Sequence, residues 1–419
     1  MIELNEKVER VILVGVSLYD GDDTEKSLDE LEELVKTAGA ETVGRIIQSR
    51  DQIHPGTYVG RGKLEEIKDL LWETEATGII CDDELSPVQL GNLQDMLDAK
   101  VMDRTLVILD IFAARATTSE GKIQVELAQL KYRQSRLTGL GKSLSRLGGG
   151  IGTRGPGEKK LEMDRRLIKG RIAQLNRELK AVKRHREVTR EQRAKNRVPV
   201  VAIVGYTNAG KSTLLNKLTG ANVLEEDKLF ATLDPTTRSL RLPSGQEVLF
   251  TDTVGFIRKL PHHLIEAFQS TLEEAKYADI VLHVVDTSNP QMDEQMAIVY
   301  ETLQELGVVN RVLITAFNKQ DKLEEPEIIR DFKADKVIRI SARTGEGITE
   351  LLEVIEEKLR NQKVEIEQTY TYADAGVIQL IRKYGELMEE IYREDGIHIR
   401  AYVPAELYEK VVRRYEQEE

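Results

Sequence analysis

One eight-residue stretch near the middle of the chain restricts the fold more than any other. It fits the pattern G-x-x-x-x-G-K-[ST] and lies between an apolar, β-branched run (198–204) and a helix-like segment (213–218). Its residues are Gly205, Tyr206, Thr207, Asn208, Ala209, Gly210, Lys211 and Ser212. Glycines let backbone N–H groups curl around a phosphate, and the following helix N-terminus adds partial positive charge. The stretch therefore predicts a phosphate-binding loop after a buried parallel strand.

Four further stretches follow this loop in the order that is typical of a GTPase. They are Phe230-Ala231-Thr232-Leu233-Asp234 at the start of a loop that extends to 238, Asp252-Thr253-Val254-Gly255, Asn318-Lys319-Gln320-Asp321, and Ser341-Ala342-Arg343. The last three each follow a strand-like run, which predicts a mostly parallel sheet. This order predicts a nucleoside triphosphatase in which several loops contact the nucleotide at one edge of the sheet.

The expected phosphate chemistry divides among a few of these residues. Lys211 can reach the β- and γ-phosphates, and the Ser212 hydroxyl can bind Mg²⁺. Thr232 can add its hydroxyl to Mg²⁺ and its backbone to the γ-phosphate; spacing alone does not distinguish it from Thr236 and Thr237. Asp252 can hold Mg²⁺ through water, and the Gly255 N–H can contact the γ-phosphate. Lys211, Thr232 and Gly255 are thus the predicted catalytic residues, and Ser212 and Thr232 the predicted Mg²⁺ ligands.

The Asn318–Asp321 stretch predicts that the base is guanine. An aspartate at the position of Asp321 accepts hydrogen bonds from guanine N1–H and the 2-amino group, and adenine would leave that carboxylate unpaired. Asn318 can tie its loop to the phosphate loop, Lys319 can lie over the base plane, and the backbone at Ser341-Ala342 can reach guanine O6. GTP is therefore the expected substrate and GDP the product.

Hydrolysis is expected to depend on a partner. The residue after Gly255 is Phe256, where many small GTPases carry a glutamine that orients the attacking water. Phenylalanine cannot orient water, so we expect slow intrinsic turnover. Asn208 raises the hypothesis that K⁺ takes the place of an arginine finger, and a purely structural role in the loop is the alternative.

The charge distribution points to a nucleic-acid partner. Residues 122–198 contain 22 Lys and Arg against 7 Asp and Glu, a net charge of +15, although the whole chain carries −12. Heptad-like apolar spacing predicts two long helices, about 106–140 and 158–195, paired as an antiparallel hairpin. Basic residues off the apolar seam are then open to RNA phosphates. A solvated helix surface is the alternative.

The connection between these two helices is unusual. Residues 147–158 hold six glycines and Arg154, and Arg146, Lys159 and Lys160 lie beside them. Antiparallel helices need only about 2–8 connecting residues, so a longer basic tip favours insertion into a partner over a plain linker. Because the tip lacks aromatic residues, we expect backbone and shape contacts with RNA rather than base stacking.

These patterns predict a multidomain α/β protein. We expect an α/β domain with a parallel sheet over 1–110, the hairpin over 111–197 with its tip loop at 144–158, a GTPase domain over 198–362, and a small α+β domain over 363–419. The 419 residues include one cysteine, and they contain no apolar run near the roughly 20 residues that span a bilayer. A reducing, cytoplasmic compartment without an integral membrane segment is the expectation, with a peripheral membrane pool left open.

The chain resembles the HflX family of translation-factor-related GTPases over about residues 8–419. The resemblance rests on the order of parts and on the glycine-rich tip GGGIGTRGPGE, GYTNAGKS, FATLD, DTVGF, NKQD and SAR. It implies a cytosolic, monomeric GTPase that binds the large (50S) ribosomal subunit through rRNA, and not DNA. It further implies that the protein splits stalled or hibernating 70S ribosomes, with the N-terminal and hairpin domains reaching toward the peptidyl-transferase centre.

Two other functions are compatible with the sequence. One is a ribosome-independent GTP switch with a protein partner, for which Arg154 and its basic neighbours would be dispensable. The other is an RNA-remodelling ATPase with a second nucleotide site in the N-terminal domain. That site would have to use Gly56–Lys63 (GTYVGRGK), which precedes a helix but lacks the phosphate-loop spacing.

Overall fold

The structure is a computed structural model that describes residues 8–18, 23–144, 156–196, 198–220, 229–230, 235–260, 274–308, 311–323 and 330–412. The chain forms two compact units. The first contains Met1–Arg184, Glu226–Asp234 and Ile257–Ser270, and the second contains the remainder. Among the described residues, no helix combines the length and apolarity needed to cross a membrane.

The first unit is built on a four-stranded parallel sheet. Its strands are β1 (Arg10–Ser17), β2 (Glu41–Ser49), β3 (Gly78–Cys81) and β4 (Lys100–Asp103), in the order β2-β1-β3-β4. The helices between them are α1 (Thr24–Thr37), α2 (Arg61–Glu73) and α3 (Pro87–Leu97). β1 and β3 are buried along almost their whole length, as central strands of a parallel sheet must be. The predicted α/β class is confirmed, with β4 as a strand that the sequence pattern did not indicate.

The prediction of one helix over 106–140 is wrong. The structure has α4 (Arg104–Arg115) and then α5 (Ser119–Leu144), because the chain turns extended at Ala116. Thr118 restarts the helix: its hydroxyl accepts a hydrogen bond from the Gly121 N–H at 2.9 Å, which is N-cap geometry.

The two long helices are nevertheless paired antiparallel. α6 (Pro156–Asn196) contacts α5 through a bidentate pair between Arg171 and Glu126, at 2.6 and 2.8 Å. Nearer the tip, Arg165 donates to the Leu137 carbonyl at 2.6 Å. Arg171 follows Arg165 along α6, whereas its partner Glu126 precedes Leu137 along α5. The two helices therefore run in opposite directions. Of the predicted tip loop, 144–158, residues 145–155 lie outside the described residues, and 156–158 belong to α6.

The second unit contains a six-stranded sheet with the order β10-β9-β8-β5-β7-β6. Its strands are β5 (Val200–Gly205), β6 (Thr236–Arg241), β7 (Glu247–Asp252), β8 (Ile280–Asp286), β9 (Val312–Asn318) and β10 (Lys336–Arg339). All neighbours are parallel except β6 and β7. The packed helices include α7 (Lys211–Thr219), α8 (Met292–Glu305) and α9 (Ile348–Arg360). The predicted mostly parallel sheet is confirmed, but residues 236–238 belong to a strand and not to a loop.

The same unit ends in a small antiparallel sheet. Strands β11 (Lys363–Tyr370), β12 (Glu386–Arg393) and β13 (Gly396–Pro404) are ordered β11-β13-β12, with α10 (Ala375–Tyr384) and α11 (Ala405–Val412). The side chain of Glu386 is buried and accepts hydrogen bonds from Arg360 of α9 and from Lys363, at 2.6 and 3.4 Å. These charge-assisted contacts hold the small sheet against the last helix of the larger one.

Candidate nucleotide-binding site

The predicted phosphate loop joins β5 to α7, and two of its glycines are required by close contacts. Gly205 has φ +153°, and a Cβ there would lie 2.3 Å from the Val284 carbonyl oxygen. Gly210 has φ +94°, and a Cβ would lie 2.3 Å from the Asn318 amide nitrogen. Asn208 adopts a left-handed φ of 60°, which asparagine tolerates better than most residues. The loop thus folds back on itself before α7 begins.

Lys211, the first residue of α7, is buried against this loop. Its ammonium donates to the carbonyl oxygens of Gly205 and Tyr206, at 3.1 and 2.7 Å. Burial lowers the pKa of Lys211 to about 8, with the charge of Lys319 acting in the same direction and Asp252 opposing it. A buried cation of this kind is stabilised by any anion that comes close.

A second pair of polar groups lies at the N-terminus of α7. The Ser212 hydroxyl donates to Asp252 Oδ2 at 2.7 Å, and Asp252 is fully buried at the end of β7. Thr253 fixes the chain beyond it, because both its N–H and its hydroxyl donate to the Ile203 carbonyl. A hydroxyl and a carboxylate are hard oxygen donors of the kind Mg²⁺ prefers, so the residues fit that ion.

The stretch after Asp252 is joined directly to the phosphate loop. Phe256 donates its N–H to the Gly205 carbonyl at 3.1 Å and accepts from the Thr207 N–H at 2.8 Å. At Gly255 a Cβ would lie 2.8 Å from Thr207 Cα and 2.9 Å from the Lys211 ammonium. The Phe256 side chain is itself 2% exposed. This residue therefore extends the sheet and presents no polar group.

Asn318 connects three of the predicted motifs. Its amide nitrogen donates to the Ala209 carbonyl at 2.8 Å, and its amide oxygen accepts from the Ala342 N–H at 2.9 Å. The Ser341 hydroxyl donates to Asp321 Oδ1 at 2.6 Å, which orients that carboxylate. The phosphate loop, the NKQD stretch and the SAR stretch thus form one hydrogen-bonded site.

The remaining predicted residues of this region differ in how they are held. Lys319 has a left-handed φ of 65° and pairs with Asp286 at 2.7 Å. The Gln320 amide donates to the Thr287 hydroxyl at 3.2 Å. Arg343 is exposed to solvent. Asp286 and Thr287 were not among the predicted site residues, although a polar pair directly after the apolar run 280–285 was an available signal.

The predicted stretch around Thr232 is only partly visible. Ala231, Thr232, Leu233 and Asp234 lie outside the described residues, so their roles stay predictions. Phe230 is buried in the first unit, with its ring edge-on to Phe112 at 4.6 Å between centroids.

The two alternative threonines for this stretch lie in β6. The Thr237 hydroxyl shares a 2.9 Å hydrogen bond with Thr251 of β7, and Thr236 is paired with Asp252 at the start of the ladder. The Thr237 hydroxyl thus holds the two strands together.

Residues 257–260, directly after Phe256, belong to the first unit. There the Lys259 ammonium contacts Asp82 Oδ2 at 2.5 Å and Asp83 Oδ1 at 2.8 Å. The buried Arg104 guanidinium pairs with Asp82 and donates to the Arg258 carbonyl at 3.2 Å. Burial raises the pKa of Asp82, but the charges of Arg104 and Lys259 outweigh it and hold the pKa below its usual value. Sequence reasoning missed this cluster.

The strand order, the phosphate loop and the NKQD stretch define a P-loop GTPase. Residues 25–113 match the family described as GTP-binding GTPase N-terminal, 115–193 the GTP-binding GTPase Middle Region, and 200–319 the 50S ribosome-binding GTPase. The chain belongs to the HflX family of GTPases. It is 69% identical to GTPase HflX of Lacrimispora saccharolytica, over 97% of this chain and 96% of that one.

The chain is also similar to more distant proteins. The chain is 44% identical to GTPase HflX of Escherichia coli, over 86% of this chain and 85% of that one. Among solved structures, it is similar to a GTP-binding protein from the archaeon Sulfolobus solfataricus in complex with GDP, at 26% identity and a TM-score of 0.44. That match covers 83% of this chain and 98% of the other.

Proposed function

We propose that this GTPase binds Mg²⁺–GTP between the phosphate loop and the NKQD stretch, with residue roles as follows. Lys211 binds the β- and γ-phosphates, the Gly255 N–H and Thr232 contact the γ-phosphate, and Ser212 and Thr232 ligate Mg²⁺. Bound Mg²⁺ would neutralise charge on the phosphates. The observation that carries the proposal is Asn318, which holds the phosphate loop and the SAR stretch in one site around a buried lysine.

Guanine recognition follows from Asp321, whose carboxylate is oriented by Ser341. Replacing it by asparagine supplies an amide that can donate to the 2-oxo group of xanthine but no longer accepts from the 2-amino group of guanine. We expect Asp321→Asn to bind GDP at least 100-fold more weakly, because the guanine 2-amino group loses its acceptor, and a site that hydrogen-bonds its ligand in this way discriminates by roughly 10⁴–10⁵ at best. Competition of fluorescent GDP with XDP and GDP measures this, and an unchanged preference for GDP would contradict the assignment.

Hydrolysis is proposed to be slow in the isolated protein. Because the Phe256 side chain is buried and its backbone is tied to the phosphate loop, a group from elsewhere must orient the attacking water. A separate contribution is K⁺ held near Asn208, which would take the place of an arginine finger. GTPase rates in matched K⁺ and Na⁺ buffers test this contribution, and equal rates would eliminate it.

The partner is proposed to be the 50S subunit, and the protein a cytoplasmic monomer that splits stalled or hibernating 70S ribosomes. The basic α5–α6 hairpin would bind rRNA phosphates, and the tip loop would make the deepest contacts. The matched description of residues 200–319 as a 50S ribosome-binding GTPase supports this partner. We retain the division into 1–110, 111–197, 198–362 and 363–419 as the functional parts.

GTP would control this binding by ordering residues 230–238 and 252–260. Support comes from the first unit, which includes Phe230 and Lys259 among its packed residues and also contains most of the hairpin, up to Arg184. The state of these two segments can thus affect the ribosome-binding part directly.

Cosedimentation tests the proposed partner. We expect the protein to migrate with purified 50S subunits in the presence of a non-hydrolysable GTP analogue and to be released with GDP. Replacing Arg154, Lys159 and Lys160 by alanine should weaken comigration and make its loss with salt less steep, because fewer phosphate contacts release fewer counterions. Absence of GTP-dependent comigration would contradict the proposed partner and favour a ribosome-independent switch, and comigration unaffected by these substitutions would contradict the role of the tip.

A further inference from the structure

The turn at the end of β8 lies against the NKQD stretch, and its residues have no part in the scheme above. We propose that Asp286 and Thr287 are positioning residues that fix Lys319 and Asn318 for guanine binding. This inference rests on the proposed guanine site and deepens it. The two residues are neighbours in the chain and hold two consecutive residues of the motif.

Asp286 holds the side chain of Lys319. The ammonium lies 2.7 Å from Asp286 Oδ2, and the two side chains are only 17% and 12% exposed. The other oxygen, Oδ1, accepts from the Ser288 N–H at 3.0 Å and from the Ser288 hydroxyl at 2.7 Å. Both carboxylate oxygens therefore have partners, and the contacts with Ser288 fix the carboxylate independently of Lys319.

The backbone of Lys319 makes this anchoring useful. Its φ of 65° is left-handed, and this conformation is energetically unfavourable for an L-residue with a long side chain. Neighbouring contacts must hold such a residue in place. A lysine fixed in this way can keep its methylene stem over a base plane without first losing side-chain freedom on binding.

Thr287 holds the other half of the motif. Its N–H and its hydroxyl both donate to the Asn318 carbonyl, at 3.1 and 2.6 Å. The same hydroxyl accepts from the Gln320 amide at 3.2 Å. Thr287 therefore fixes the backbone of the asparagine whose side chain joins the phosphate loop to the SAR stretch.

Asp286 also balances charge in the site. Lys319 lies close enough to Lys211 for its charge to lower the pKa of that buried lysine. Two cations in one site repel, and the carboxylate on Lys319 offsets this repulsion before a phosphate is bound. Its removal should leave Lys319 free to move away from the place where the base would lie.

The test is binding of fluorescent GDP to the full-length protein. We expect Asp286→Asn to weaken binding about tenfold, as is typical when a charge-assisted hydrogen bond is lost. Glu365→Gln is the matched control, because it removes a 2.7 Å pair with Arg400 on the exposed face of the small sheet. We expect the control to bind like the wild type.

A double-mutant cycle separates positioning from a general structural effect. Lys319→Met alone should also weaken GDP binding, and Asp286→Asn added to it should cause no further loss. Additive losses, or Asp286→Asn binding within twofold of the wild type, would overturn the inference. Failure of the wild type to bind GDP would instead refute the proposed site.

Thr287 provides a second, independent variant pair should Asp286→Asn fold poorly. Thr287→Ser keeps the hydroxyl and should bind GDP like the wild type, whereas Thr287→Val should bind several-fold more weakly. Equal affinities of the two variants, with equal melting temperatures in the absence of nucleotide, would contradict the role of Thr287.

Discussion

Two glycine-rich loops of this chain each connect a parallel strand to the helix that follows it, but the two loops differ in role. Gly56–Lys63 leads into α2 of the first unit, and Gly205–Ser212 leads into α7 of the second. Both contain a lysine and two or more glycines. The difference lies in which groups satisfy the polar atoms of each loop.

The first loop is closed by side chains of its own unit. His54 Nδ1 accepts from the N–H groups of Gly56 and Thr57, at 3.2 and 3.1 Å. The Gly60 N–H at the start of α2 donates to the Gln48 amide oxygen at 2.8 Å. Tyr58, with a left-handed φ, is buried and donates its hydroxyl to Asp83 at 2.6 Å. These contacts favour a structural loop and oppose the alternative of a second nucleotide site.

The second loop is arranged around a buried cation. Lys211 is enclosed by backbone carbonyls, and the Thr207 hydroxyl is buried without a hydrogen-bond partner among the described residues. A glycine-rich turn before a helix is therefore not sufficient for a phosphate site. The side chains that cap the turn, or leave it to a ligand, decide its role.

The largest expected effect separates the two lysines. Lys211→Met should lower GTP turnover roughly 100-fold or more, because it removes a charged group aimed at the transferred phosphate. Lys63→Met, in the first loop, should change turnover less than twofold. Single-turnover rates and fluorescent GDP affinities measure both. A comparable loss in Lys63→Met would restore the second nucleotide site as a candidate.

The next effect concerns stability. His54→Ala leaves the N–H groups of Gly56 and Thr57 without their shared acceptor, so we expect it to destabilise the first unit by about 1–3 kcal/mol. GDP affinity should not change. Chemical unfolding, followed by hydrogen exchange of α2, measures the loss. Unchanged stability would show that the His54 contacts do not hold the loop.

The third effect is a pH dependence that only the second loop should cause. Burial lowers the pKa of Lys211 to about 8, and bound phosphates favour the charged form, so binding above pH 8 must take up a proton. GDP affinity should therefore fall by up to about tenfold per pH unit above pH 8, and not below it.

The same shift affects stability without nucleotide. Between pH 8 and the usual lysine pKa of 10.5, the unfolded state binds more protons at Lys211 than the folded state does, so this group makes stability rise with pH.

Calorimetry of GDP binding in buffers of different ionisation enthalpy counts the protons taken up on binding. Lys211→Arg should abolish the uptake, and its persistence would assign the proton to another group.

The smallest expected effect tests a glycine without a special task. Gly62 lies in the first turn of α2 with a negative φ, and nothing lies within 4 Å of a Cβ built there. Gly62→Ala should stabilise the protein by roughly 0.5–1 kcal/mol, because alanine loses less backbone freedom in a helix. The paired change Gly210→Ala should have the opposite sign, because its Cβ would meet Asn318. Chemical unfolding measures both changes, and a destabilised Gly62→Ala would contradict the expected gain.

The sequence predicted the parts of the site that depend on fixed spacing along the chain. The phosphate loop and the NKQD stretch each follow a strand, and parallel strands bring their carboxyl ends to one edge. It missed β4, because Lys100–Asp103 is only four residues long and buried by neighbours far away in the chain. The helix break at Ala116 was missed because alanine favours helix, and the Thr118 cap became evident only in three dimensions.

Long-range contacts account for the other omissions. Lys259 and Asp82 are 177 residues apart, and no local pattern links them. Asp286 pairs with Lys319 across two neighbouring strands whose order had to be known first. A charged side chain has no sequence periodicity that reveals its partner, so such pairs follow from topology rather than pattern.

The only thiol of the chain, on Cys81, lies in the centre of the first sheet with no exposed surface. Burial, together with the nearby Asp103, Asp83 and Asp82, raises the pKa of this thiol well above its usual value. An alkylating reagent can therefore modify it only when β3 separates from its neighbours. The rate of Cys81 alkylation therefore reports how often the N-terminal core opens. Labels attached to cysteines introduced on the surface will have no competing site in the folded protein.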